Sequence, residues 1–131
     1  ILRLMMELQQ EFNMAILFIT HDLGVVAQMT DRVFVMYLGE VVESADVVTL
    51  FYEPKHPYTK ALLRSIPQVG KFEEGKRLKA IHGSVPSPYA RPKGCPFHTR
   101  CEQAIRGVCD TKSPPVVKIS ENHQVKCVLY E

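Results

Sequence analysis

The sequence predicts an α/β fold that gives way, toward its C-terminal end, to a small loop-rich cysteine module. Three observations lead there. Residues 1–12 repeat apolar side chains at helical spacing and run straight into an unbroken apolar stretch at 14–19, as a helix feeding a buried strand does. A second apolar run at 32–38 is followed by Gly39-Glu40 and a short return segment. From His82 onward proline is frequent, long periodic segments disappear, and Cys95, Cys101, Cys109 and Cys127 all fall in the last third of the chain.

Taken in order, Ile1, Leu4, Met5, Leu8 and Phe12 share one face of the first helix, with Arg3, Glu7, Gln10 and Glu11 largely opposite. Asn13 suits a left-handed C-cap because its short polar side chain tolerates that conformation. The run 14–19 is too short for a helix of its own and lacks alternation, so it reads as a strand buried on both faces. Thr20-His21-Asp22 breaks the run, and Thr20 or Asp22 is placed to cap a short helix over 23–29. Residues 32–38 read as a second strand, Gly39-Glu40 as a turn and 41–43 as a return strand. Asp46 caps a helix that reaches Tyr52 and ends before Pro54. His56-Pro57 opens another helix, with Tyr58, Leu62 and Ile66 on one face and Pro67 closing it. Pro in the first turn and Thr59 near the start are ordinary capping chemistry.

Residues 68–80, rich in Lys, Glu and Gly, read as an exposed connector with at most one short strand. The prolines beyond it (Pro86, Pro88, Pro92, Pro96, Pro114, Pro115) leave little capacity for an apolar core, so this part needs a staple. The division expected is therefore 1–67 and 68–131.

Composition narrows the function classes. Of 131 residues, 46% are hydrophobic and 23% charged, as in an ordinary globular protein. Sixteen basic against fourteen acidic side chains leave +2, which argues against nucleic acid as a partner. No apolar run approaches the roughly 20 residues that span a bilayer, which leaves room for a peripheral place against membrane proteins. There is no initiator Met and Ile1 already lies within the amphipathic pattern, which reads as a boundary inside a longer chain.

His21 emerges at the carboxyl end of the predicted buried strand, where functional groups of open α/β sheets gather. An imidazole there can donate a hydrogen bond to a phosphate oxygen or orient an attacking water; it can equally bond a backbone carbonyl and do nothing more. The cysteines follow C-x5-C-x7-C-x17-C. Structural zinc sites use C-x2–4-C knuckles, absent here. Four thiolates from separate turns can hold an iron–sulfur cluster, and Lys93, Arg100, Arg106 and Lys126 would offset its negative charge. On spacing alone, cluster, zinc, and disulfides or free thiols all stay open. His98 and His123 lie close to cysteines and are expected to support them rather than replace a ligand.

Extended context adds a resemblance. The run AILFITHDLGVVAQMTDRVFVMYLGEVVESA resembles the switch-histidine region of ABC transporter ATPase subunits at Thr20, His21, Asp22, Leu23, Asp31, Arg32, Gly39 and Glu40. HPYTKALLRSIP, GSVPSP, GCPFHTRC and HQVKC are similar to the C-terminal extension of ATPase subunits from oligopeptide and dipeptide importers. The matched positions there include His56, Pro57, Tyr58, Gly94, Phe97, His123 and the four cysteines.

The resemblance implies an α/β C-terminal remnant of a P-loop ABC ATPase domain, with a helical extension, over 1–67, and the importer cysteine module over 68–131. It implies that His21 contacts the nucleotide's γ-phosphate and supports hydrolysis, with ATP and Mg bound only by the full-length protein. It implies a second ATPase subunit, identical or not, transmembrane permease subunits as partners, and a peripheral place on the cytoplasmic face of the membrane. Some members of that family carry a [4Fe–4S] cluster on these four cysteines, which makes Cys95, Cys101, Cys109 and Cys127 its expected ligands.

The chain itself holds no G-x-x-x-x-G-K-[ST] phosphate loop, no LSGGQ signature and no apolar strand ending in Asp-Glu. It is therefore expected not to hydrolyse ATP alone. The rival reading is a stand-alone metal-binding interaction module without catalytic role.

Overall fold

The computed structural model describes residues 1–66 and 80–131. Pro67 as a helix stop, and all but the last residue of the connector expected over 68–80, lie outside the described residues.

The helices stand where local rules put them. Helix α1 (Leu2–Phe12) ends at Asn13, which adopts φ 48° and ψ 45°, the left-handed cap expected of it. Helix α2 (Leu23–Met29) is capped by Asp22, whose carboxylate accepts the Gly24 and Val25 N–H groups. Helix α3 (Val47–Tyr52) is capped by Asp46 through the Thr49 N–H. Helix α4 (Pro57–Arg64) carries Pro at its first position, and its cap is the His56 ring, which accepts the Tyr58 N–H at 3.1 Å.

Strands β1 (Arg32–Tyr37) and β2 (Glu40–Asp46) form an antiparallel hairpin. The turn lies one residue earlier than expected: Leu38 and Gly39 both take positive φ, 46° and 80°, the backbone that best matches the twist of a two-residue hairpin. Pairing runs to Asp46, opposite Arg32, well beyond the return strand expected at 41–43.

Two expectations are corrected. Residues 14–19 form no strand, and Leu17 and Ile19 are 84% and 93% exposed. A strand buried on both faces needs paired neighbours and covering layers, and the described residues supply neither for this run. The second correction lies in the C-terminal part, which is not loops alone. Val116–Ser120 (β3) and His123–Lys126 (β4) form a second antiparallel hairpin, and β4 pairs with β2. The result is a four-stranded antiparallel sheet in the order β1-β2-β4-β3, built from both sides of residue 67.

The core lies on one face of this sheet. Val35, Tyr37, Val42, Ala45 and Leu50 pack with Cys95, Phe97 and Cys109 from the proline-rich part. Phe97, 2% exposed, is the hub. Tyr37 meets it edge-on at 5.2 Å between ring centroids, and Tyr58 lies 5.3 Å away on a tilted ring. Arg100 fastens the incoming chain by donating to the carbonyls of Ile81 and His82.

Candidate functional site

The four cysteines line one small cavity, with His56, Pro57, Phe97, Pro114 and Val128 among its walls. Each sulfur comes from a different tight turn. Cys95 follows Gly94, whose φ of 75° few side chains tolerate and whose missing Cβ would collide with the Cys109 carbonyl. That close approach is sealed by the Cys95 N–H donating to the Cys109 oxygen at 2.8 Å. Cys101 closes the 3-10 turn His98–Arg100, and Cys127 leads from β4 into the 3-10 turn Val128–Tyr130. The β4–β2 pairing thus carries Cys127 back to the other three.

All four thiols are free, and Cys95, Cys109 and Cys127 are buried. Burial pushes Cys101 up to about 11; the Gln103 backbone N–H opposes the rise, and the other three sulfurs add to it. Burial likewise raises Cys95, against the Phe97 N–H, and Cys127, against the Leu129 N–H. The Ile105 N–H donates to the Cys109 sulfur at 3.3 Å. Every sulfur therefore faces at least one main-chain donor. A donor favours an ionised sulfur, while burial beside three like groups opposes it unless a cation enters.

Among the described residues, no group of three or more His, Cys, Asp or Glu side chains is arranged to hold a metal ion as the side chains stand. The features that fit a sulfur-ligated group are four free thiols on one cavity, a backbone donor to each, and an enclosure of apolar side chains.

Behind this wall lies a buried polar cluster that the sequence did not reveal. Glu43, in the central strand β2, is 1% exposed. Its carboxylate accepts the Lys55 N–H at 2.6 Å, the His56 N–H at 2.9 Å and the His123 Nε2–H at 2.8 Å. One acidic side chain therefore fixes β4 and the approach to α4. Desolvation lowers His56 to about 4, with Glu43 opposing and Lys60 adding to the fall, so the ring is neutral near pH 7.

The remaining expected residues are dispersed. His21 lies exposed in the bend before α2 and does not line the cysteine cavity. His98 lines the cysteine cavity and donates from Nδ1 to the Cys95 carbonyl at 2.8 Å. His123 turns toward Glu43. Glu43 gave no sequence signal beyond a charge interrupting an apolar run.

Comparison with known proteins adds to this geometry. Residues 42–109 match the family described as oligopeptide/dipeptide transporter, C-terminal region. An oligopeptide transport ATP-binding protein of Bacillus subtilis is 50% identical over 132 residues, covering 100% of this chain and 39% of that protein. A putative peptide import ATP-binding protein of Brucella ovis is 44% identical over 135 residues, covering 100% of the chain and 40% of the relative. A dipeptide transport ATP-binding protein of Escherichia coli is 42% identical over 127 residues, covering 97% and 38%. The chain thus spans about two-fifths of the length of these curated relatives.

Proposed function

The chain belongs to the family of oligopeptide and dipeptide transporter C-terminal regions, and from that premise we propose that it is the C-terminal part of an ATP-binding subunit that powers peptide import. The observation that carries the reading is similarity across essentially the whole chain to proteins named as peptide-transport ATP-binding proteins. The rival reading, a stand-alone metal-binding module, is not favoured, since it leaves the match over residues 1–41 without a reason.

In this reading residues 1–67 descend from the end of a P-loop ABC ATPase domain and 68–131 from the importers' cysteine extension, the two sharing one sheet. His21 is the residue that meets the γ-phosphate in the complete subunit, where ATP and Mg are held by residues upstream of this chain. The chain alone has no phosphate loop and so no means of binding a triphosphate tightly. The complete subunit works as a dimer, with an identical or related ATPase subunit, against transmembrane permease subunits at the cytoplasmic face of the membrane. No helix among the described residues is long and apolar enough to cross a membrane.

The same reading gives the cysteine cavity a [4Fe–4S] cluster held by Cys95, Cys101, Cys109 and Cys127. When bound, such a cluster supplies a one-electron redox centre and ties four turns together. The chain's own contribution is the enclosure, the four thiols and the backbone donors to them.

A chimera tests the proposal. This chain replaces the matching C-terminal part of the Bacillus subtilis relative in cells that depend on peptide uptake. Growth on peptide is expected with the chimera and not with its His21→Ala form. Equal growth of both forms removes the role of His21, and no growth despite normal expression removes the proposed function.

A further inference from the structure

Two buried side-chain polar atoms among the described residues have no hydrogen-bond partner, His56 Nε2 and Thr59 Oγ1. Of these two residues only His56 lines the cysteine cavity. Glu43 accepts its backbone N–H, and its ring is held through Nδ1, which accepts the Tyr58 N–H. A ring nitrogen that accepts carries no proton, so in the neutral imidazole the proton sits on Nε2. His56 is therefore a buried N–H donor, 1% exposed, on the wall of a cavity whose other prominent groups are four sulfurs.

A buried donor without an acceptor costs about 1–3 kcal/mol. The neighbouring histidine does not relieve it: His98 bonds the Cys95 carbonyl through Nδ1, and no acceptor, its other ring nitrogen included, lies within hydrogen-bond reach of His56 Nε2. Neutral thiols are weak acceptors, whereas thiolates and sulfides are charged ones. The residues around the cavity thus leave one donor to be satisfied by whatever ionises the sulfurs.

We propose that His56 donates its Nε2–H to a sulfur of the thiolate-held group in the cysteine cavity, and that its place as the cap of α4 serves to aim that donor. This rests on the reading of the cavity as an iron–sulfur site. His56 is a positioning and tuning residue, not a ligand, because Nε2 has no free lone pair in this tautomer. A donor to cluster sulfur stabilises the more negative, reduced state, so it raises the reduction potential. His-Pro-Tyr then has one mechanical reading: Pro57 starts the helix, the Tyr58 N–H sets the tautomer, and His56 faces the sulfurs.

Two substitutions separate the donor from the cap. His56→Asn keeps an oxygen able to accept the Tyr58 N–H but removes the reach of Nε2. His56→Gln keeps an amide N–H near the place of Nε2 and gives up the cap. The full 131-residue chain and both variants are reconstituted anaerobically with ferrous iron and sulfide, and their reduction potentials are measured by electrochemical titration. The Asn variant is expected to take up the same iron and sulfide with a more negative potential, and the Gln variant to return toward the parent value. Equal potentials in parent and Asn chains, or equal shifts in both variants, overturn the proposal while leaving the cluster reading intact. No uptake by the parent chain overturns both. If the Asn variant fails to fold, two-bond proton–nitrogen NMR of the unloaded parent chain decides: a proton on His56 Nε2 supports the proposal, and one on Nδ1 ends it.

Discussion

Glu43 and His123 meet at 2.8 Å in the interior although 80 positions separate them in sequence. The pair ties the central strand to the strand that leads to Cys127, and the same carboxylate holds the Lys55 and His56 N–H groups. Removing one partner of such a pair strands buried donors, at a cost of about 3–5 kcal/mol. Glu43→Ala is expected to lower the urea-denaturation free energy by that amount. A loss under about 1 kcal/mol would show that the pair does not organise the core.

Gly94 is expected to be equally intolerant for a different reason. Its φ of 75° and its contact with the Cys109 backbone leave no space for a Cβ. Gly94→Ala should cost roughly 2 kcal/mol or more and separate Cys95 from Cys109. Thermal unfolding reads the first effect and reduced iron uptake the second. Gly107→Ala is the control, because a Cβ there meets nothing within 4 Å although its φ is also positive, 81°.

Acid should weaken the fold through His56. Its folded value, about 4, lies below the ordinary 6.5, so the unfolded chain takes up the proton first. The contribution is fully present above about pH 6.5, falls as pH drops through that value, and levels off below about 4. Linkage puts its size at roughly 3 kcal/mol. Urea midpoints measured between pH 7.5 and 4.5 should decline more steeply for the parent chain than for His56→Asn.

Unloaded Cys95, Cys101 and Cys127 should be sluggish nucleophiles. Cys101 is raised from 9.0 to about 11, which leaves roughly 100-fold less thiolate near neutral pH than an unperturbed cysteine has. Iodoacetamide labelling followed by mass spectrometry should be slow at pH 7.5, touch Cys101 before the more buried Cys95, Cys109 and Cys127, and keep accelerating toward pH 11. Rapid labelling at pH 7.5 would contradict the enclosure.

What could be read before folding follows the range of the interactions. Asn13, Asp22, Asp46 and Pro57 act within a few residues, so the end of α1 and the starts of α2, α3 and α4 were legible from spacing and caps. The β1–β2 hairpin was legible too, since its turn joins two neighbouring apolar runs. Residues 14–19 show the limit, because an apolar run states that it can be buried and not what will bury it. β3 is largely exposed and β4 is only four residues long, so the hairpin carried little apolar pattern, and its place beside β2 depends on partners far along the chain.

The sequence by itself determined the four helices, the caps at Asn13, Asp22 and Asp46, the first hairpin, and the presence of four cysteines without a phosphate loop. The α4 cap fell to His56, while the Thr59 hydroxyl expected to help there has no partner. The tertiary structure alone decided that β4 joins β2, that the four sulfurs reach one cavity, and that Glu43, His56 and His123 form the polar support behind it. The physical reason is one of scale. Caps and helical periods are satisfied by neighbours in sequence, whereas a buried carboxylate, a ring without an acceptor and a set of thiols acquire meaning only from what folding brings against them.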